Sequence, residues 1–251
     1  MSRLWLTGAS SGLGAALAEQ LLAEGHRLAV TARQAAPLHE LAERFGDRVL
    51  VVPGDIADSG QVRDILQRIE QDWGALDRVI LNAGTCEYLE PGAFSAALVQ
   101  RVLTTNVLGT AHCIEACLPL LRRGAQPHLV VVGSAVTWLA LPRAGAYGAS
   151  KAALRYLLES LRIDLAGEGI DVTLVSPGFV DTPLTRRNDF PMPVLWPAPR
   201  AAGHIVARLD SRPLEIAFPR RFVLALRLLG ALPASWRLGL GRRLARRPTE
   251  A

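Results

Sequence analysis

Lysine is almost missing from this sequence: its 251 residues hold 27 arginines and a single lysine, Lys151. Whatever favours arginine elsewhere did not prevail at that position, and a large planar guanidinium does not readily replace a compact ammonium. Cysteine is sparse and odd in number (Cys86, Cys113, Cys117), which excludes a disulfide framework and fits a reducing compartment. Cys113 and Cys117 stand one helical turn apart and could share a metal. The five histidines offer no companion ligand spacing, so helix packing is expected and no metal is assigned. Long apolar runs are missing too. The most apolar late stretch, Phe222 to Leu232, is interrupted by Arg227 and falls short of the roughly 20 residues that cross a bilayer. The opening segment passes straight into a glycine-rich stretch, without the apolar run and cleavage site of a signal peptide, which predicts a cytoplasmic location.

Half of the residues are hydrophobic, enough for the core of one large domain, and disorder is excluded. The net charge of +5 is unevenly spread. Residues 216–249 carry eight arginines and no acid, while the rest of the chain carries 20 basic against 23 acidic residues. The basicity is a C-terminal feature.

Through residue 176, short β-branched or leucine-rich runs alternate with amphipathic stretches of helical length, the pattern of a parallel sheet covered on both faces. Strands are expected near 3–7, 27–32, 48–52, 76–82, 128–134 and 170–176. Helices are expected over Leu13–Glu24, Pro37–Phe45, Ser59–Trp73, a long Phe94–Leu121 and Tyr147–Gly167. The fold class is therefore α/β, a single Rossmann-like domain with a doubly wound parallel sheet. After Pro177, five prolines between 183 and 199 break the chain into a lid, assigned to 183–212. Within it Ala198–Leu209 resumes helical spacing; Leu214–Phe218 reads as an edge strand, and 219–247 as an arginine-rich extension of one or two helices.

The first expected strand feeds into Thr7-Gly8-Ala9-Ser10-Ser11-Gly12-Leu13-Gly14, followed at once by a helix. Glycine is needed where a strand turns sharply into a helix and where backbone must approach a pyrophosphate, and the helix N-terminus offers free N–H groups to its charge. A glycine triplet alone is weak evidence; the strand before it and the helix after it make it a dinucleotide cradle. Nineteen residues beyond Gly14, where an acid would accept from a ribose 2′-hydroxyl, stands Arg33. A guanidinium pairs with a 2′-phosphate instead, so NADP(H) is expected over NAD(H).

Tyr147 and Lys151 are four positions apart in a helical stretch and so share one face. A phenol with an ordinary pKa of about 10 is a poor base near neutrality, and a nearby ammonium together with a positive nicotinamide lowers that value. The tyrosine can then exchange a proton with a substrate oxygen while hydride moves at carbon.

These residues resemble a short-chain dehydrogenase/reductase of the single-domain type with about 250 residues, a likeness that covers Ser2 to about Thr182. Residues 7–14 resemble its cofactor loop, and Asp55, before Ile56, the acid that contacts adenine. Asn82-Ala83-Gly84 matches its Asn-Ala-Gly turn, and Asn106 its helix asparagine. Ser134 stands thirteen residues before Tyr147, as the family's active-site serine does, and Tyr147-Gly148-Ala149-Ser150-Lys151 completes Tyr-x-x-x-Lys. Pro177, Gly178, Val180 and Thr182 lie in a segment resembling the one that holds the nicotinamide carboxamide. The resemblance implies that Tyr147 is the acid/base and that Lys151 lowers its pKa and binds the nicotinamide ribose. It further implies that Ser134 bonds the substrate oxygen and that Asn106 supports a proton-relay water. Gly133 and Leu81 depart from the usual residues and remove no reactive group.

Substrate contacts are expected from Thr85–Leu89, Ala135–Leu141 and the proline-broken segment near 183–200. Val136, Trp138, Leu139, Leu141, Phe190, Met192, Val194, Leu195 and Trp196 make these loops apolar, which suggests a lipophilic carbonyl or secondary alcohol; core closure is the other reading. The basic tail fits an anionic lipid surface, with Phe222, Val223, Leu224, Leu226 and Leu228 entering the interface, an oligomer contact or a solvated helix. No nucleic-acid motif accompanies its charge. The resemblance implies a homodimer or homotetramer through Phe94–Leu121 and Tyr147–Gly167. A non-catalytic NADP(H)-binding sensor or scaffold is the competing function. The set Asn106, Ser134, Tyr147 and Lys151 argues against it, since a binding module needs no tuned phenol.

Overall fold

The computed structural model describes residues 1–90 and 92–244, so the end of the arginine-rich extension, with Arg246 and Arg247, lies outside the described residues. The strands are β1 (Arg3–Thr7), β2 (Arg27–Thr31), β3 (Val49–Val51), β4 (Arg78–Leu81), β5 (His128–Val132), β6 (Asp171–Pro177), β7 (Val180–Asp181), β8 (Trp196–Pro197) and β9 (Glu215–Phe218). The helices are α1 (Gly12–Ala23), α2 (Ala36–Phe45), α3 (Ser59–Trp73), α4 (Ala96–Leu103), α5 (Gly109–Leu121), α6 (Gly145–Asp164), α7 (Ala198–Leu209), α8 (Arg220–Gly230) and α9 (Ala234–Leu244).

Seven strands pair in parallel in the order β3-β2-β1-β4-β5-β6-β9. Alternate residues of each strand face opposite sides, and both sides are buried, which is why the strands read as continuous apolar runs. Leu4, Leu6, Val130 and Val132 pack under α1, α2 and α7; Trp5, Leu129 and Val131 pack under α3, α5 and α6. Cys113 and Cys117 are buried in the second of these layers, as packing residues. The chain runs outward in opposite directions from β1 and β4, so a crevice opens past their carboxyl ends, the place where such sheets bind ligands.

Two expectations are revised. The single helix over 94–121 is interrupted by a π-helical turn, Thr104–Leu108, in which the Gly109 N–H bonds back to the Thr104 carbonyl five residues earlier. One inserted residue leaves the apolar spacing on either side intact, so periodicity alone does not reveal it. The lid is shorter than 183–212, because Ala201, Ala202, Ile205, Val206 and Leu209 of α7 are buried against α1. What remains spans the residues between β7 and β8, which pair with each other through Val180 and Trp196. No described helix is long and apolar enough to cross a membrane.

Candidate active site

The turn from β1 into α1 is built on two glycines that tolerate no side chain. Gly8 has φ +70°, and a Cβ there would lie 2.8 Å from the Ala83 Cα. A Cβ on Gly14 would lie 1.9 Å from the Gly8 carbonyl oxygen, so the helix can start this close to the strand only without one. Ser11 caps α1 in extended backbone with no side-chain hydrogen bond, which leaves the first helical N–H groups to an anion.

This turn is stitched to the end of β4. The buried Thr7 hydroxyl accepts from the Asn82 and Ala83 N–H groups at 3.1 and 3.2 Å, and the Asn82 side-chain amide donates to the Thr7 and Gly8 carbonyls. Asn82 thus acts by holding the cradle's backbone. Thr7, which opens the cofactor loop, likewise holds backbone, a use that its place in the loop does not reveal.

Asn106, fully buried in the π-helical turn, spends its side chain on neighbours: Oδ1 accepts from the Thr85 N–H at 2.7 Å, and Nδ2 donates to the Thr85 carbonyl and the Ser150 hydroxyl at 2.9 Å each. It ties the loop after β4 to α6. On α6, Tyr147 and Lys151 share a face as expected, with the ammonium 5.8 Å from the centre of the phenol ring. Lys151 is buried and donates to the Val132 carbonyl at the end of β5, at 2.9 Å. Ser134 follows that strand, caps a short 3-10 turn at Ala135–Trp138 by accepting from the Val136 N–H at 3.2 Å, and lies near enough to the Tyr147 phenol to favour its ionised form.

Burial acts on the pair more strongly than the pair acts on itself. Desolvation pushes the Tyr147 phenol up to about 12, with a further push from Cys86 and an opposing pull from Ser134. Desolvation brings the Lys151 ammonium down to about 8. The expected depression of the phenol by Lys151 is therefore not produced by the protein's own groups. Cys86, unassigned from the sequence, acts electrostatically on both residues, and its thiol is itself pushed up by burial. No spacing in the sequence links it to α6.

One cavity of about 870 Å³ joins these parts. Its lining runs from Arg33, Asp55 and Ile56 at one end, past Gly8 and Ser10–Gly14 of the glycine turn and Asn82-Ala83-Gly84, to Tyr147, Lys151, Pro177, Gly178, Val180 and Thr182 at the other, whereas Thr7 and Ala9 of the loop do not reach it. Neither Asn106, fully buried, nor Ser134, half-buried, is among its lining residues. Arg33 is exposed on the rim and makes no ion pair among the described residues. Thr182 faces the cradle, since a Cβ on Gly12 would lie 3.0 Å from its side chain. A dinucleotide fits this shape: a cradle closed to side chains, a helix N-terminus and a free guanidinium share one cleft.

None of the nine apolar residues expected to meet the substrate lines this cavity. The Trp196 ring stacks on Phe218 at 5.2 Å, with Arg200 over it, and belongs to the core edge. Trp138 is held between two guanidiniums, described below. Around Tyr147 the cleft also presents Thr85, Glu87, Gln100 and Arg187. The lid rests on the loop after β4 through Phe190 against Tyr88 at 5.7 Å and a Tyr88–Asn188 hydrogen bond. Arg143, in left-handed backbone with φ 64°, pairs with Glu90 on that loop and Asp189 on the lid.

A family model for the short chain dehydrogenases matches residues 3–190. The chain belongs to this family. Among relatives of this short-chain dehydrogenase, an uncharacterized oxidoreductase of Myxococcus xanthus is 35% identical over 234 residues, 91% of each chain. The 2-(R)-hydroxypropyl-CoM dehydrogenase of Xanthobacter autotrophicus is 36% identical over 227 residues, 86% of this chain and 87% of that one. Among solved structures, the RhlG/NADP active-site complex of Pseudomonas aeruginosa superposes with a TM-score of 0.79 at 28% identity, covering 86% of this chain and 94% of that one. This short-chain dehydrogenase is accordingly an oxidoreductase with a Rossmann-like fold.

Proposed function

We propose that the protein is an NADP(H)-dependent oxidoreductase that interconverts a carbonyl compound and a secondary alcohol, with Tyr147 as the general acid/base. The observation that carries this reading is the grouping at the end of the cavity: Ser134 near the Tyr147 phenol, and the Lys151 ammonium, fixed to Val132, 5.8 Å from the phenol ring. A nicotinamide dinucleotide bound in the cradle supplies or takes the hydride. In reduction, the substrate oxygen sits on Ser134 and Tyr147, and the phenol gives it a proton as the carbon gains hydride. A phenol held near 12 is protonated at neutrality, which suits that donation. In oxidation the same oxygen loses its proton to a tyrosinate, stabilised by Lys151 and by the positive charge of an oxidised nicotinamide. Asn106 positions the loop and helix on which this geometry rests.

The finer assignments have separate supports. Arg33, unpaired on the cavity rim, favours a 2′-phosphate, and RhlG was solved with NADP. A lipophilic substrate is favoured by loop composition alone: Val136 and Leu141 follow β5, and Phe190 and Met192 lie between β7 and β8, outside the cavity lining. Exposed Tyr156 and Ile163, seven residues apart on α6, and Leu108 before α5 favour a homodimer or homotetramer through these helices. On α8, Leu224 and Leu228 stay exposed beside Arg221 and favour contact with anionic lipid, whereas Val223 is buried and Phe222 packs on Phe179. A cytoplasmic enzyme touching the inner face of a membrane fits both.

Replacing Tyr147 by Phe removes one hydroxyl and leaves the cradle intact. Turnover in an NADPH-oxidation screen over carbonyl compounds should fall by roughly 10²–10⁴, with NADPH affinity nearly unchanged. A variant that still turns over at the parent rate refutes the mechanism, and failure of every carbonyl compound with the parent enzyme favours the sensor reading.

A further inference from the structure

The turn that carries Ser134 is clamped from outside the region on which the family likeness rests. Trp138 ends the turn, and its indole lies between two guanidiniums, Arg155 of α6 at 4.0 Å and Arg227 of α8 at 4.5 Å from the ring. Two cations stacked on one indole restrain its plane. The indole N–H finds no acceptor among the described residues, so these stacks, and no hydrogen bond, orient the ring. Both guanidiniums converge on one carboxylate, Glu215 of β9: Arg155 at 3.0 Å, and Arg227 in a closer pair. Glu215 is largely enclosed, and its carboxyl is held below the usual range by these partners against the opposing effect of burial.

Backbone contact completes the clamp. A Cβ on Gly230, at the end of α8, would lie 2.1 Å from the Trp138 carbonyl oxygen, so helix and turn meet with no side chain between them. Arg155 sits one helical turn past Lys151 on α6, so the same network joins the ammonium's helix, the serine's turn, the last strand of the sheet and α8.

We propose that α8 is a positioning element of the active site, and that Arg227, stacked on Trp138 and paired with Glu215, holds the Ala135–Trp138 turn where Ser134 meets Tyr147. This rests on the oxidoreductase reading above. The family model ends at residue 190, so Arg227 lies outside the segment that it matches. A loosened turn would misplace the Ser134 hydroxyl relative to the phenol without touching the cofactor cradle. Arg227 does not line the cofactor cavity and acts through Trp138.

The test uses the full chain with Arg227→Ala, Trp138→Ala and the conservative Trp138→Phe, which keeps a ring between the guanidiniums. Arg221→Ala, an exposed arginine of the same helix, serves as control. Amide hydrogen exchange across residues 134–141 should quicken in Arg227→Ala and Trp138→Ala, while the glycine turn at 8–14 stays protected and the NADPH Kd is unchanged. With benzil as the probe, a lipophilic diketone, kcat should drop by about tenfold to a hundredfold in those two variants. Trp138→Phe and Arg221→Ala should remain near the parent. Parent-like exchange in Arg227→Ala overturns the proposal, and so does faster exchange with an unaltered kcat. The exchange arm reads the turn whether or not benzil is reduced. Loss of turnover in Tyr147→Phe, scored alongside, tests the chemistry itself and separates the two failures. If Arg227→Ala does not fold, Glu215→Gln, which keeps the hydrogen-bonding shape and removes the charge, should reproduce the faster exchange; parent-like exchange in it refutes the clamp.

Discussion

The Lys151 ammonium donates to the Val132 main-chain oxygen at 2.9 Å, joining the middle of α6 to the last residue of β5. Space around it is short: a Cβ on Gly84 would already lie 3.5 Å from Nζ. A guanidinium placed there must displace either the Gly84 turn or the Tyr147 ring. Lys151→Arg, conservative in charge, should therefore lower kcat by roughly a hundredfold or more. It should also weaken NADPH binding, both read by steady-state kinetics and a fluorescence titration. A near-parent rate would show that the site needs only a positive charge.

Arg33 stands at the opposite end of the same cavity, with no carboxylate paired to it among the described residues. Arg33→Asp should weaken NADPH by about tenfold or more, the size of a lost charge-assisted hydrogen bond, and should strengthen NADH relative to it. An unaltered ratio of the two affinities would remove Arg33 from the 2′-phosphate site.

His128 makes the sheet sensitive to acid. Its Nδ1 accepts from Arg78 Nε at 3.1 Å, and Thr173 Oγ1, which gives its own proton to Pro213, faces Nε2 at 2.8 Å. The ring is therefore neutral with the proton on Nε2. Burial and the neighbouring arginines Arg78 and Arg212 bring its pKa down to about 3. The unfolded chain binds this proton near pH 6.5, so the stability is fully present above that pH and is lost as pH falls toward 3. Urea unfolding should lose up to about 1.4 kcal/mol per pH unit from this group in that window. His128→Gln should flatten the slope, and an equal slope in the variant would contradict the assignment.

The exposed leucines of α8 carry the lipid reading. Leu224→Glu with Leu228→Glu should abolish co-flotation with vesicles containing phosphatidylserine and leave activity unchanged. Equal partition of variant and parent removes that reading. Truncation before Arg220 is the wrong control, because it also strips the support from Trp138.

Much of this molecule is legible from its residues, for reasons that differ by element. β1, α1 and the glycine turn are local: strand, turn and helix follow one another, and Gly8 and Gly14 announce a backbone approach that only glycine allows. Tyr147 and Lys151 are four apart on one helix, so their shared face follows from helical geometry. The π-helical turn around Asn106 was hidden because it adds one residue without disturbing the apolar stripes. Trp138 and Trp196 were misread because an aromatic ring in a loop looks alike whether it meets a ligand, a guanidinium or the core. Cys86 and Arg227 escaped because their partners are distant in sequence, and no spacing encodes that kind of contact. The raised pKa of Tyr147 in the protein alone was hidden for a related reason: proximity to an ammonium is visible in the sequence, and the depth of burial is not.

The short pairing of Val180 with Trp196 gives the substrate side an independence that the cofactor side lacks. Because the chain leaves and rejoins the body at adjacent points, the segment between can lengthen, shorten or change character at small entropic cost. The strands that carry Ser134 and the cradle need not move in response. Descendants of this scaffold can therefore drift in what they recognise while the apparatus that moves hydride and proton is inherited whole.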